Sequence, residues 1–209
     1  MQTLDRKAHW QNVYTTKSSD LVSWFQAEAL PSLGAIARSG VGPDASLIDI
    51  GGGASVLVDS LLAQGWRQLT VLDVAQSALK VARARLGERA AAVDWIAADI
   101  TAWSPSRTYD VWHDRAVFHF LTTPDDRAGY HRALNAGLRP GGHLILATFA
   151  ADGPEKCSGL VVQRYDPDML AAELGPVYDL VEAWRETHTT PWGSEQTFNW
   201  CRFVKLANE

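Results

Sequence analysis

The sequence predicts an α/β fold: a doubly wound, mostly parallel sheet of seven strands with an antiparallel C-terminal edge. Three observations predict it. Short apolar runs alternate with helix-length stretches from residue 44 onward, the pattern of βαβ units whose sheet is covered on both faces. A triple glycine, Gly51-Gly52-Gly53, directly follows the first of those runs, as a strand-to-helix turn with close backbone approach requires. The last two runs, Tyr178–Glu186 and Phe198–Leu206, have no helical stretch between them, so they are expected to pair as an antiparallel edge.

Each element has its own signal. Residues 20–39 place Leu21, Trp24, Phe25, Ala29, Leu33 and Ile36 at helical spacing, and Pro31 is expected to kink or split that helix. Gly40, Gly42 and Pro43 punctuate its end. Ser46–Ile50 is the first expected strand, and Ser55–Gln64 an expected helix closed by Gly65. Leu69–Asp73 follows as a strand, then a helix over Gln76–Leu86 with Ala78, Ala82 and Leu86 on one face and Gly87 as its stop. Val93–Ala97 and Asp110–His113 are the third and fourth strands. Thr123 caps a helix that starts at Pro124 and runs to about Leu138, since proline at the first helical position lacks only a donor that would be unpaired anyway. Arg139-Pro140-Gly141-Gly142 stops it, His143–Phe149 is the fifth strand, and Pro167–Leu174 a further helix.

A length of 209 residues corresponds to about one domain, read as residues 1–43, a helical lid-like extension, and 44–209, the core. The composition, 46% hydrophobic and 21% charged, is that of a globular chain. A net charge of −5 has the wrong sign for a nucleic-acid groove. No run of apolar residues reaches the length of a membrane span, and the opening MQTLDRKAHWQ lacks the apolar stretch of a signal peptide, so a cytoplasmic location is expected. Two cysteines, Cys157 and Cys201, make neither a zinc framework nor a disulfide scaffold. Nine tryptophans stand in the chain; most read as core, and those near the termini alternatively as pocket walls.

The chemistry concentrates around the glycines. The stretch is Asp49-Ile50-Gly51-Gly52-Gly53, and Asp73 ends the next strand twenty residues past Gly53, where a carboxylate can accept both hydroxyls of a ribose. A dinucleotide site wants Gly-x-Gly-x-x-Gly, and the third position here is Val56. Asp49 would oppose a pyrophosphate and suits a ligand bearing an ammonium group. With Asp99-Ile100 after the third strand and Pro140-Gly141-Gly142 before the fifth, the region from 44 to 206 resembles the class I S-adenosylmethionine-dependent methyltransferases. The resemblance implies a Rossmann-like methyltransferase fold with S-adenosyl-L-methionine as cofactor. It implies that Gly51 and Gly53 pass the methionine portion, that Asp73 holds the ribose, that Asp99 meets the adenine amino group, and that Val74 and Ile100 pack on the ring. The plainer readings are a tight turn at the glycines, a helix cap at Asp73 and a turn cap at Asp99.

The stretch Tyr109-Asp110-Val111-Trp112-His113-Asp114-Arg115-Ala116-Val117-Phe118-His119-Phe120 is read as crossing from the fourth strand into a loop that, by the resemblance, faces the transferred methyl group. His119 or Asp114 there is a candidate to deprotonate or orient the acceptor, with Arg115 beside them; a structural histidine and an Asp114–Arg115 ion pair are the bland alternatives. His113 and His119 do not share a helical face and no cysteine is near, so no metal site is expected. Trp10-x-x-x-Tyr14 with Ser23-Trp24-Phe25 resembles the opening of a methyltransferase branch that includes protein lysine methyltransferases, which implies that Trp10, Tyr14 and Trp24 close over the cofactor. The segments 152–165 and 188–196 are expected to shape the acceptor pocket, and Cys157 to be inert. The expected reaction is in-line methyl transfer to a small-molecule thiol, amine or carboxylate. The alternatives are transfer to a protein lysine and a nicotinamide-dependent oxidoreductase.

Overall fold

The computed structural model describes residues 5–16 and 18–207. Six helices, α1 (Arg6–Thr16), α2 (Leu30–Arg38), α3 (Leu57–Ala63), α4 (Gln76–Leu86), α5 (Pro124–Gly137) and α6 (Pro167–Leu174), accompany nine strands among these residues. The strands are β1 (Ser46–Ile50), β2 (Gln68–Asp73), β3 (Val93–Ala97), β4 (Tyr109–Arg115), β5 (Leu138–Phe149), the two-residue pair β6 (Lys156–Cys157) and β7 (Leu160–Val161), β8 (Tyr178–Thr189) and β9 (Glu195–Lys205). The main sheet has seven strands in the order β3-β2-β1-β4-β5-β9-β8. The first five run parallel; β9 joins β5 antiparallel and β8 closes the edge as its hairpin partner. The strand order reverses at β1, which pairs with β2 on one side and β4 on the other, so the crevice for a ligand opens beyond the carboxyl ends of these strands.

Every residue of β1 is buried because both faces of the sheet are covered. On one face Ile36, Leu57, Leu61, Leu79 and Leu86 pack over Leu47, Val111 and Ile145. On the other, Tyr130, Leu134, Leu170 and Leu174 pack over Ile48, Trp112 and Leu146. At about 25 cal/mol per Å² of apolar surface, this double burial is the main force that holds the edge of the sheet in place for the site. Among the described residues no helix is long and apolar enough to cross a membrane, and none group as a metal site.

The expected strands and helices of the core stand where their patterns put them, with three differences. Residues 20–39 do not form one kinked helix. A single helical turn covers Ser19–Leu21, residues 22–29 are irregular, and α2 begins at Leu30 with Pro31 in its first turn, a position proline favours. Trp24 and Phe25 owe their spacing to the site described below. The fourth strand continues to Arg115, so His113, Asp114 and Arg115 are strand residues that alternate between faces. The Arg139–Gly142 turn lies inside β5, where the register breaks between Tyr109 opposite Leu138 and Val111 opposite His143.

Candidate active site

The backbone shapes the cleft first. Gly51 has φ of +68° and donates its N–H to the Leu72 carbonyl at 2.7 Å. A Cβ there would lie 2.1 Å from Val117 Cγ2, so any side chain would both strain the backbone and fill the space. Gly53, with φ of +38°, is closely packed: a Cβ would sit 2.6 Å from Asp73 Oδ2, 3.2 Å from Ala78 Cβ and 3.4 Å from the Tyr14 hydroxyl, so the missing side chain lets Asp73 approach the loop. Beneath the loop, Asp49 Oδ1 lies 2.7 Å from His113 Nδ1, both residues buried on neighbouring strands. This pair braces the loop from below. Asp49 also lines a small recess beside Gly51 and Gly52 that Tyr14 and Trp24 close from above.

Asp73 ends β2 with one oxygen committed. Its Oδ1 accepts the Ala75 N–H at 2.7 Å and so turns the chain into α4, which makes the cap reading and the ligand reading compatible. Burial, with Asp49 adding to it, raises its carboxyl to about 7 against the pull of the Ala75 N–H. Asp99, at the end of β3, accepts from both the backbone N–H and the hydroxyl of Thr101, at 2.9 and 2.8 Å, and its other oxygen lies 3.5 Å from Arg6 Nε. It therefore caps its own turn and still borders the cleft, together with Val74 and Ile100.

Helix α1 spans this edge of the sheet. Gln11 accepts from the Ser77 N–H at 3.3 Å, over the start of α4. Arg6 donates to Asp126 at 2.7 Å and to Thr101 at 3.3 Å, reaching α5 on the far side. Trp10 and Tyr14 thereby face the cleft beside Trp24, joined edge to face: Trp10–Trp24 at 5.6 Å, Trp10–Phe120 at 5.0 Å and Tyr14–Trp24 at 6.3 Å. The cleft holds about 870 Å³ of space between its walls, part of it open to solvent.

The end of β4 divides the expected acceptor-side residues. Asp114 turns into the opposite core, fully buried, and accepts from the Val117 N–H at 2.8 Å, the Phe118 N–H at 3.2 Å and the Tyr130 hydroxyl at 2.8 Å. Those bonds pull the chain into a bend, and Ala116 takes φ of +71° while its N–H reaches the Ala147 carbonyl at 2.8 Å. A non-glycine residue in this region stores strain, here at the cleft wall. His119 is fully buried, takes the Phe149 N–H on Nδ1 at 3.3 Å and is sealed between Phe120 and Phe149. Burial, and then Arg115, pushes its imidazole down to about 3. Neither Asp114 nor His119 borders the cleft, and a general base has to reach the proton it takes. The structure places both candidate bases in the core and not on the cleft wall, and Asp114 and Arg115 form no ion pair because the two side chains lie on opposite faces of the strand.

Arg115 alone of that group lines the cleft. Cys157 lines it too, with burial raising its thiol to about 11. Residues the motifs had not marked include Arg6, whose helix carries little apolar periodicity, and Phe149, Gln196 and Phe198. Gln196 sits at the end of the 188–196 segment, so its mixed polar and aromatic composition was the available signal.

Residues 47–142 match the family described as a methyltransferase domain. A malonyl-[acyl-carrier protein] O-methyltransferase of Anoxybacillus flavithermus is 26% identical over 162 residues, covering 75% of this chain and 60% of that protein. A trans-aconitate 2-methyltransferase of Azoarcus sp. is 34% identical over 113 residues, 53% of this chain and 42% of the relative. The chain thus spans about half the length of the curated relatives it matches. Among solved structures, the N-methyltransferase NodS of Bradyrhizobium japonicum with S-adenosyl-L-homocysteine superposes with a TM-score of 0.73 at 17% identity, covering 96% of this chain and 99% of that one. An S-adenosylmethionine-dependent methyltransferase of Anabaena variabilis gives 0.73 at 13% identity, covering 97% and 96%. These likenesses show a shared fold over nearly the whole chain.

Proposed function

Because the chain belongs to the class I S-adenosylmethionine-dependent methyltransferase family, we propose that it transfers a methyl group from S-adenosylmethionine to a small-molecule nucleophile. The observation that carries this reading is that Gly51 and the buried carboxylate of Asp73 line one cleft at the switch point of the sheet. When bound, the cofactor supplies an electrophilic methyl group on a sulfonium. The chain's own residues then hold and shield. Asp73 accepts from the ribose hydroxyls through the oxygen that Ala75 leaves free. Asp99 accepts from the adenine amino group, while Val74 and Ile100 flank the ring. Gly51 and Gly53 give room for the methionine portion, with Asp49 in the recess beside it. Trp10, Tyr14 and Trp24 exclude water and turn aromatic faces toward a cation. Catalysis by positioning and desolvation needs no side-chain base, which accords with Asp114 and His119 lying in the core.

The acceptors in the relatives' names, a malonyl group and trans-aconitate, support a small reacting group over a lysine side chain. Val56, at the entrance of α3, occupies the position where a dinucleotide site has its third glycine, which weighs against a nicotinamide cofactor. Calorimetry decides between the cofactors: S-adenosyl-L-homocysteine is expected to bind at micromolar or better affinity with no heat from NAD, and the reverse would overturn the proposal. Labelled S-adenosylmethionine added to lysate with the protein is expected to mark the low-mass fraction; label confined to a protein band would assign the acceptor to a lysine.

A further inference from the structure

We infer that Arg115 selects the acceptor by pairing with a carboxylate that the acceptor carries. The inference rests on the methyltransferase reading and names the substrate class for the same cleft. Arg115 is placed by β4 on the cleft wall, and only its Nη1 has a partner, the Trp24 carbonyl at 3.1 Å. Its Nε and Nη2 are both shut off from solvent and without a partner among the described residues. No carboxylate pairs with it directly: Glu186 and Asp49 act on it only through space, Asp49 being engaged with His113 and Glu186 accepting from Trp200 Nε1 at 2.5 Å, while Asp114 faces the other core. A buried cation left half-satisfied is costly, so the feature calls for a counter-ion that this chain does not supply.

The geometry names the counter-ion. Nε and Nη2 form one edge of the guanidinium, with two parallel N–H groups spaced for the two oxygens of a single carboxylate. Arg6, the other cation of the cleft wall, is already paired with Asp99 and Asp126, so Arg115 stands as a single planar cation with no lysine beside it, which matches a planar monoanion better than a phosphate. The head is held by one hydrogen bond to a backbone carbonyl, and pairing requires its free edge, buried as it stands, to turn toward the cleft.

The surroundings point to the acceptor. The guanidinium lies over Phe198, 5.2 Å from the ring centre, and Phe198 belongs to the last hairpin. Gln196 from the same strand lines the cleft with a buried amide oxygen that also has no partner. Asp73 and Asp99, assigned above to the cofactor, come from β2 and β3 at the other end of the cleft. Arg115 does border the recess beside Gly51 as well, so the amino-acid end of the cofactor is the competing source of a carboxylate.

The experiment separates the two. Wild type, R115Q and R115K are first titrated with S-adenosyl-L-homocysteine. Each saturated complex is then titrated with paired probes, trans-cinnamate against cinnamamide and glutarate against glutaramide. Wild type is expected to prefer a carboxylate over its amide by about tenfold or more, R115Q to lose the preference, and R115K to keep only part of it. Affinity for S-adenosyl-L-homocysteine is expected to stay within about threefold in all three, since the inference gives Arg115 no bond to the cofactor. Equal binding of acid and amide, or of neither, by wild type overturns the inference and leaves the methyltransferase reading intact. So does a large loss of S-adenosyl-L-homocysteine affinity in both variants, which would assign Arg115 to the cofactor. Should R115Q not fold, R115K carries the test, and an undiminished preference there sinks the inference. Wild type that binds no S-adenosyl-L-homocysteine removes both readings.

Discussion

Asp73 shows how a single side chain trades stability for binding. Its carboxyl is raised to about 7, chiefly by burial, whereas the same group in an unfolded chain ionises near pH 4. The folded chain therefore holds this proton more tightly than the unfolded one. The stabilisation is full below about pH 4 and is lost as pH rises through about 7. Above that the ligand-free protein carries a desolvated charge, which the proposed ribose contact would satisfy. Asp73→Asn keeps an oxygen for the Ala75 N–H and removes the charge. At pH 8 it is expected to raise the stability of the ligand-free protein by about 1–3 kcal/mol, and at pH 5 by much less, read as Tm by scanning fluorimetry. The same variant is expected to weaken S-adenosyl-L-homocysteine binding by about 1–3 kcal/mol, the scale of hydrogen bonds to a charged group. A variant whose Tm matches wild type at pH 8 would mean that Asp73 is well solvated. Gly51→Ala makes the complementary point. The Cβ would lie 2.1 Å from a Val117 methyl at a φ of +68°, so both binding and Tm are expected to fall.

At the scale of elements, α1 lies as a strap across the carboxyl edge, and its fastening combines aromatic and polar contacts. Val13 is its one buried residue; Trp10 and Tyr14 pack on Trp24 and Phe120, and Arg6 to Asp126 and Asp99, and Gln11 to Ser77, add polar ties. Partly exposed ion pairs contribute about 1 kcal/mol or less, so if α1 closes over the proposed cofactor, loosening its Arg6 ties should speed cofactor exchange. Arg6→Ala is expected to raise the dissociation rate of S-adenosyl-L-homocysteine about three- to fivefold in stopped-flow displacement, and to speed proteolytic cleavage within residues 5–16, with little change in Tm. An unchanged dissociation rate would show that the strap does not gate the cleft. The same weak apolar periodicity explains why α1 was not legible as a defined helix: Trp10 and Tyr14 face a cleft instead of a core, so they do not mark a buried stripe. Residues 20–39 misled for the mirror-image reason, because Trp24 serves the cleft wall and Phe25 the recess beside it, although both fit a helical pattern. Strands β1 to β3 were legible since burial on both faces leaves an apolar run with few alternatives. The chemistry after β4 was legible only as a cluster. Whether Asp114 or Arg115 reaches the cleft depends on strand alternation, and two extra strand residues decided it.

For the whole molecule, the topology places a buried acid on the cleft wall, and the proposed ribose contact would make binding a proton-coupled event. The titratable groups facing Asp73 are Asp49 and Tyr14. Asp49 raises its proton affinity, and Asp73 in turn pushes the Tyr14 phenol further above its ordinary range, so the phenol stays neutral throughout the accessible pH range. Ribose hydroxyls donate, so they select the ionised carboxylate. Below about pH 7 the protein must release a proton to bind, at about 1.4 kcal/mol for each pH unit. Affinity for S-adenosyl-L-homocysteine is accordingly expected to fall by about ten- to thirtyfold from pH 8 to pH 5.5. Calorimetry near pH 6.5 in two buffers of different ionisation enthalpy is expected to register release of most of one proton on binding. In Asp73→Asn both effects should vanish, because the amide has nothing to release. A wild-type affinity that is flat across this range, or a proton taken up where release is expected, would mean that the ribose is held elsewhere and that the carboxylate at the end of β2 only turns the chain into α4.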